Sequence, residues 1–224
     1  FGTAFSFDSM PLQLILVVLG TAAVLSGSSI AIFQHNVKRM LAYSSVAQIG
    51  YLMLGLSLAT AAGLTATLVH LFNHALMKGG LFLAVGCMAY RLGNTRLADL
   101  AGIGFRMPWT TAAFVIGGLS LIGLPLTAGF ISKWVLVQAV LENGWWPLVV
   151  VIVVGALLAV IYIWRIVETA YFRTASEGGD DFVEAPLALL LPTWLLIGAN
   201  IYFGIHTDLS LNVARLAADF LTGG

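Results

Sequence analysis

The sequence predicts an all-α protein, a polytopic bundle of about seven transmembrane helices. Composition gives two of the observations behind this prediction. Hydrophobic residues make up 60% of the chain and charged residues only 9%, whereas a soluble domain carries about 25% charged residues. The mean hydropathy is accordingly high, at +0.98. So few charges cannot cover a water-facing surface, and we therefore expect lipid to surround most of the chain.

The third observation is that the apolar residues form runs. A helix that crosses a bilayer needs about 20 predominantly apolar residues, and most of the runs approach or exceed this length. We predict spans near residues 12–34, 40–59, 64–91, 109–124, 126–142, 145–172 and 186–206. They form one domain, residues 1–207, which we expect to be the membrane-embedded, proton-translocating part.

The runs 109–124 and 126–142 are short, and a segment rich in glycine and proline separates them. Gly123, Pro125 and Gly129 lie in this segment. Proline removes a backbone donor and clashes with the preceding turn. The segment therefore predicts either one helix broken at membrane depth, as in many transporter sites, or two short helices joined at the membrane surface.

Residues 208–224 form a separate tail. Its apolar residues recur at helical spacing, at Leu209, Val213, Leu216 and Phe220. This pattern predicts an amphipathic helix that lies on the membrane or on a neighbouring protein; a frayed polar tail is the alternative. The chain begins at Phe1 without methionine or a signal peptide, so we expect a fragment of a longer chain or a processed one.

Charge and cysteine content argue against several classes of function. The formal net charge is zero, which does not favour a nucleic-acid partner. Cys87 is the single cysteine, so the chain has no internal disulfide, Cys-rich zinc site or iron–sulfur cluster. No glycine-rich nucleotide loop follows a strand pattern. We therefore expect no metal, no cofactor and no redox chemistry in this chain itself.

Basic residues predict the orientation in the membrane. Five of them fall on one side of the predicted spans, which we assign to the cytoplasm: Lys38, Arg39, Arg91, Arg96 and Arg106. Arg165 and Arg173 join that side if the region around Pro125 crosses the membrane only once. The expected location is the inner (plasma) membrane, crossed several times.

The strongest functional signal is the spacing of His70, His74 and Lys78. These residues stand at i, i+4 and i+8, so their side chains share one face of a helix. Lys78 lies near the middle of its span, too far from either end to reach water by extending its side chain. A charge at this depth costs at least about 2.5–3.5 kcal/mol, and histidine titrates near neutrality. The three residues predict a proton relay; a structural lysine bonded to a carbonyl is the alternative.

Lys133 is a second lysine inside an apolar span, two turns after Pro125. A helix broken at Pro125 lets water reach this depth, which gives the lysine a role in proton transfer. If the helix limits differ by several residues, Lys133 is instead an ordinary lysine at the membrane surface.

A third polar element is the helix that begins after Lys38. Ser44, Gln48 and Tyr51 fall on one of its faces and are candidates to line a proton path through ordered water. Contacts that hold two helices together explain such a stripe equally well. Lys38 is most simply a positive-inside anchor, but it is also a candidate for the start of the path.

No acidic residue falls at mid-membrane in the predicted spans. Lys78 and Lys133 therefore lack a carboxylate partner in this chain. Each is neutral for part of a cycle, or its counter-charge comes from another segment or another protein of a complex. Sodium prefers oxygen ligands, usually with a carboxylate, so the pattern suits protons better than sodium.

Three strings of residues give the chain a resemblance to the antiporter-like subunit family. They are VKRMLAYSS at 37–45, HLFNHALMK at 70–78, and the segment 123–133 that begins Gly-Leu-Pro and ends Gly-Phe-Ile-Ser-Lys. The family includes the D-type member of Mrp cation/proton antiporters, and the proton-pumping membrane subunits of respiratory complex I and of membrane-bound hydrogenases. The resemblance covers roughly residues 10–175, the C-terminal part of such a protein.

The resemblance implies roles for two residues. Lys78 would be the relay of a central hydrated axis, and Lys133 would gate the exit of a half-channel. The buried glutamate and further lysine of the family's first half-channel have no counterpart here, which matches the missing mid-membrane carboxylate. The implied partners are other membrane subunits of the same complex, lipid, and protons, with sodium as a further candidate.

We therefore expect a proton-translocating subunit of a Mrp-type monovalent cation/proton antiporter, similar to its D-type member. The alternatives are a proton-pumping subunit of NADH:quinone oxidoreductase or of a membrane-bound hydrogenase, and a structural or truncated paralogue without transport. A protein that itself binds quinone is a further alternative, supported only by generic features. The chain would count as a translocase only as part of the oxidoreductase.

Overall fold

The computed structural model describes residues 11–174 and 184–222. The predicted domain 1–207 and tail 208–224 therefore each include residues outside the described part. Most of the described residues are helical, with a short 3-10 turn at Leu97–Leu100. The helices are α1 (Leu12–Ile32), α2 (Val37–Ser57), α3 (Ala61–Leu92), α4 (Ile103–Arg106), α5 (Pro108–Ile122), α6 (Ala128–Glu142), α7 (Trp146–Phe172), α8 (Leu187–Ile205) and α9 (Asp208–Thr222).

Five of these helices are long and apolar enough to cross a membrane: α1, α2, α3, α7 and α8. The shorter α5 is also apolar. This confirms the predicted all-α, polytopic membrane fold. Local signals fix several helix limits. Asn36 accepts a hydrogen bond from the amide of Arg39 at the start of α2, Thr60 does the same for Gly63 at the start of α3, and Gly93 ends α3 with a φ of 71°.

The long helix α3 is the centre of the bundle, since it contacts α2, α5, α6, α8 and α9. Small residues allow the closest approaches between helices. A Cβ atom added to Gly55 of α2 would lie 2.3 Å from the hydroxyl of Thr67 in α3. A Cβ atom added to Gly63 would lie 2.5 Å from the carbonyl oxygen of Gly55. In this way α2 and α3 pack backbone against backbone, as is common between helices in membranes.

The two short helices α5 and α6 run end to end along α3. Ser132 of α6 contacts His70 in the first half of α3, and Gly117 of α5 contacts Leu81 in its second half. The pair therefore runs antiparallel to α3 and together matches its length. Of the two alternatives for this region, the structure has one crossing that is broken near the depth of the α3 midpoint.

The tail helix α9 packs on α3. Ala214 and Ala218 are its buried residues. The four apolar residues that suggested the helix are exposed instead: Leu209, Val213, Leu216 and Phe220.

Candidate functional site along the central helix

Lys78 lies in the middle of α3, and its side chain crosses to the first turns of α2. The lysine is 6% exposed. Its ammonium group donates to the carbonyl oxygen of Leu41 at 2.6 Å and to the hydroxyl of Ser44. It also lies 5.8 Å from the ring centre of Phe82. Ser44, predicted to line the path, is thus a direct partner of Lys78.

His70 and His74 lie two turns and one turn before Lys78 on the same face. Their rings are nearly parallel, 5° apart, with centres separated by 6.1 Å. The Nδ1 atom of His70 is 2.9 Å from the hydroxyl of Ser132 in α6. The i, i+4, i+8 spacing therefore produces a row of titratable groups that leads from Lys78 towards α6.

Tyr51 connects this row to the second lysine. Its ring meets the ring of His70 edge to face, with centres 5.6 Å apart. The ammonium group of Lys133 lies 5.3 Å from the centre of the same ring, and the tyrosine hydroxyl donates weakly to the carbonyl of Ile152 in α7, at 3.4 Å. Tyr51 therefore packs between the α3 histidines and Lys133.

Lys133 lies in the second turn of α6, and its side chain reaches back to the end of α5. It is 7% exposed. The ammonium group donates to the carbonyl oxygens of Leu121 at 2.7 Å and Ile122 at 2.8 Å, the last two carbonyls of α5. Pro125 lacks the N–H that would otherwise serve Leu121 four residues earlier. A positive charge here also complements the negative end of the α5 dipole.

The break itself has a defined backbone. Gly123 ends α5 with a φ of 96°, and Leu126 has a φ of 71°, a left-handed conformation that is unfavourable for leucine. Thr127 accepts from the amide of Phe130 to start α6. A Cβ atom added to Gly129 would lie only 1.8 Å from the carbonyl oxygen of Ser120. The two half-helices therefore overlap closely, and Gly129 is what allows it.

Sequence reasoning missed a polar network that holds the break. Asn200 of α8 accepts from the hydroxyl of Ser120 at 2.8 Å and from the amide of Ala128 at 3.2 Å. Asn73 of α3 donates to the carbonyl of Ala128 at 2.8 Å. The amide of Gly129 donates to the hydroxyl of Ser120 at 3.1 Å. The signal available in the sequence was a single asparagine inside two of the apolar runs: Asn73 on the helix that carries the histidines, and Asn200 on α8.

Several polar atoms along this axis are buried without a protein partner among the described residues. They are Gln48 Oε1, Asn73 Oδ1 and His74 Nε2. A buried polar atom left without a hydrogen bond is costly. Their concentration around the two histidines marks a place where exchangeable partners such as water fit the protein best.

Lys38 does not join this cluster. It is exposed in the first turn of α2, whereas Met40 and Leu41 of the same turn are completely buried. The structure thus brings together Lys78, His74, His70 and Lys133 with the lining residues Ser44, Gln48 and Tyr51, and leaves Lys38 apart.

Neither buried lysine has a carboxylate partner in the part of the chain that the structure describes. The ion pair recorded there joins Arg173 and Glu168, 3.2 Å apart at the surface. The same residues contain no group of three or more His, Cys, Asp or Glu side chains that could hold a metal ion. The chemistry that this axis can support is proton transfer among lysine, histidine and hydroxyl groups.

Residues 2–159 match the family model described as NADH:quinone oxidoreductase/Mrp antiporter, transmembrane region. The chain belongs to this family. The match includes Lys78, Lys133 and the break between α5 and α6, so the three strings that suggested the resemblance all lie in the family region.

The relatives and solved structures that this chain resembles include proteins of redox complexes and of an Mrp complex. NADH-quinone oxidoreductase subunit N of Desulforudis audaxviator is 41% identical, over 92% of this chain and 44% of its own length. A chain of the Mrp complex from Dietzia has a TM-score of 0.85 at 28% identity, over 94% of this chain and 47% of its own. A chain of an archaeal membrane-bound sulfane sulfur reductase has a TM-score of 0.81 at 34% identity, over 86% and 32%. The chain spans less than half the length of each.

Proposed function

We propose that this chain forms the C-terminal part of a proton-translocating membrane subunit. The observation that carries the proposal is the row of groups between two buried lysines. Lys78 and Lys133 are joined by His74, His70 and Tyr51, without a carboxylate near either lysine in the described residues. Such a row can pass a proton by repeated transfer, with water filling the positions beside the histidines.

The same row gives little support for sodium as the ion carried here. A hard cation needs several oxygen ligands, usually including a carboxylate. The oxygen atoms bonded to Lys78 and Lys133 are backbone carbonyls and the hydroxyl of Ser44, which already accept from an ammonium group. We infer that protons use this part of the protein.

The two lysines have different expected roles. Lys133 holds two backbone carbonyls at the end of a half-helix, so loss of its proton would weaken the connection between α5 and α6. Lys78 shares its acceptors with hydrogen bonds inside α2. We propose that Lys133 couples protonation to a change at the break, and that Lys78 is a relay within a fixed frame.

The exposure of the residues in the break also supports the presence of a neighbouring protein segment. Leu124, Pro125 and Leu126 are exposed, although they lie near the depth of the α3 midpoint. Irregular backbone at membrane depth is stable only where protein covers it or where it lines a wet cavity. We propose that another part of the parent chain or a neighbouring membrane subunit covers this face, in a multi-pass complex of the inner (plasma) membrane.

The relatives weigh towards a redox-driven complex. Sequence alone favoured an Mrp antiporter, but the Mrp chain is 28% identical, against 41% for subunit N of an NADH-quinone oxidoreductase. We therefore propose a proton-pumping protein similar to subunit N as the first candidate. An Mrp-type antiporter protein remains the second candidate, because the Mrp chain has the higher TM-score of the two structures compared, 0.85 against 0.81.

The test is proton flux in inverted vesicles that hold the full parent complex. We expect Lys133→Ala to reduce quenching of an acid-sensitive dye at least about tenfold, with normal assembly of the complex. Gln138→Ala is the matched control, since Gln138 is an exposed residue of the same helix and should leave flux unchanged. Normal flux with Lys133→Ala would end the proposed role of this part of the chain.

Two conditions separate the candidate complexes. Acidification driven directly by an electron donor, without added sodium, would support the redox pump. A signal that appears only when sodium is added across a gradient set by separate respiratory enzymes would instead support the antiporter.

A further inference from the structure

A basic pocket lies at one end of the bundle, beside the first turn of α2. It has a volume of about 660 Å³. The loop between α1 and α2, the residues after α3 and the end of α7 form its walls. Its charged and titratable lining residues are His35, Arg39, Arg96, Arg165, Glu168 and Arg173.

Backbone hydrogen bonds fix two walls of this basic pocket. The amide of Val37 donates to the carbonyl of Thr95 at 2.9 Å, and the amide of Leu97 donates to the carbonyl of His35 at 2.8 Å. Arg165 of α7 reaches the same loop, where it donates weakly to the carbonyl of Gln34 at 3.4 Å. The pocket is therefore a formed structure rather than a chance gathering of mobile side chains.

Among the described residues, basic side chains outnumber acidic ones in the basic pocket. Four arginines face one glutamate there, and that glutamate, Glu168, pairs with Arg173. The guanidinium groups of Arg39 and Arg96 have no hydrogen bond or ion pair with the described residues. The positive-inside rule accounts for arginines at this end of a membrane protein, but it does not require that residues from three separate segments converge on one cavity.

Aromatic residues indicate that the basic pocket lies at the level of lipid headgroups. Phe33 lines the pocket and is 75% exposed. On α7, Trp164 and Phe172 pack together with ring centres 6.1 Å apart, and each directly precedes a pocket arginine in the sequence. Exposed aromatic residues collect where a bilayer meets water. The apolar, exposed side of α7 below this pair is suited to acyl chains.

We propose that the basic pocket binds the phosphate headgroup of an anionic phospholipid. Arg39 and Arg96 would hold the phosphate, because a guanidinium group matches phosphate oxygens with paired hydrogen bonds. Basic pockets between transmembrane helices on this side of a membrane are suited to such headgroups. The proposal does not depend on proton transport, because none of its residues belongs to the row between Lys78 and Lys133.

The test uses the detergent-purified parent complex and a photoreactive phosphatidylglycerol. Cross-linked peptides are mapped by mass spectrometry, and labelling is measured against lipid concentration. We expect labels on the peptides that contain Phe33 and Ala98. The combined Arg39→Gln and Arg96→Gln variant should weaken apparent binding about thirty-fold. Lys38→Gln removes a neighbouring charge outside the pocket and should change binding less than about twofold.

Two comparisons decide between sources of the phosphate. Photoreactive phosphatidylcholine, which has no net charge, should label these peptides much less than phosphatidylglycerol. Inorganic pyrophosphate in excess should compete poorly, because the acyl chains add to lipid binding. If pyrophosphate displaces the lipid completely at equal concentration, the pocket is a site for soluble anions and the lipid proposal fails.

The remaining outcomes also decide the question. If the double variant does not assemble, the single variant Arg96→Gln, in an exposed loop position, should weaken binding about fivefold. Unchanged labelling in that variant would overturn the proposal. Loss of a neighbouring protein from the complex, with lipid labelling unaffected, would show that an acidic protein segment occupies the pocket instead.

Discussion

Lys78 and Lys133 are both buried lysines without a carboxylate partner among the described residues, but their surroundings differ. Lys78 extends from a continuous helix to a carbonyl, that of Leu41, which also accepts from the hydroxyls of Ser44 and Ser45 within α2. Lys133 extends across a break to two carbonyls at the end of α5. One lysine supplements a helix that is already complete, and the other supplies a bond that the chain itself has lost.

This difference predicts that loss of a proton would have different consequences at the two lysines. Removing the proton from Lys78 leaves α2 and α3 with their own hydrogen bonds. Removing it from Lys133 leaves a neutral amine, which donates more weakly to the two carbonyls that attach α6 to the last turn of α5. The broken region should therefore be sensitive to changes that the continuous region tolerates.

The largest expected effect comes from Gly129→Ala in the break. The added Cβ would lie 1.8 Å from the carbonyl oxygen of Ser120, so the half-helices must separate. We expect a loss of about 3 kcal/mol in stability and at least about a tenfold loss of flux. Gly86→Ala in the continuous helix α3 is the control, because nothing lies within 4 Å of its added Cβ; it should raise the melting temperature slightly. If both variants kept the same stability and flux, the expected difference between the broken region and the continuous helix would be wrong.

The second effect concerns the lysines themselves. We expect Lys133→Met to destabilise the detergent-purified parent complex by about 2 kcal/mol more than Lys78→Met, because it leaves the carbonyls of Leu121 and Ile122 without a donor. After Lys78→Met, the hydroxyl of Ser44 still donates to Leu41. Melting temperatures measured side by side should differ by a few degrees. The same melting temperature for both variants would show that Lys133 does not support the break.

The third effect tests the partner of Lys78. Ser44→Ala removes one acceptor from the ammonium group, and we expect about a fivefold loss of flux with little change in stability. Ser45→Ala is the matched control, since its hydroxyl also bonds Leu41 but is not bonded to Lys78. A similar fall in flux for both variants would assign the effect to α2 rather than to the proton row.

The placing of His70, His74 and Lys78 on one face was predictable from sequence because it depends on one helical period. His70, His74 and Lys78 recur every four residues, and this spacing places the two histidine side chains as neighbours, with their rings stacked in the structure. Composition and the lengths of the apolar runs predicted the membrane fold for the same reason, since both are local properties of the chain. The choice between one broken crossing and two short helices was not local, and only the contacts with α3 resolved it.

The support of the break was not predictable in this way. Ser120 and Asn200 are separated by 80 residues along the chain, and no local period connects them. Lys38 stays a prediction, because its side chain is exposed in the first turn of α2, which fits both an anchor at the membrane surface and the start of a path. Local periodicity predicts which residues share a face, whereas the partners of a break depend on how separate helices meet.

The smallest effect is expected at the other end of α5. Glu184 accepts from the amides of Trp109 at 2.8 Å and Thr110 at 3.4 Å, so its carboxylate caps the positive end of the half-helix whose negative end holds Lys133. Glu184→Gln keeps an acceptor but loses the charge, and we expect a loss of about 0.5–1 kcal/mol with flux unchanged. Glu168→Gln, at a surface ion pair, should cost less. A large loss of flux with Glu184→Gln would mean that the charge at one end of α5 influences Lys133 at the other, and that the break and its distant cap act as one unit.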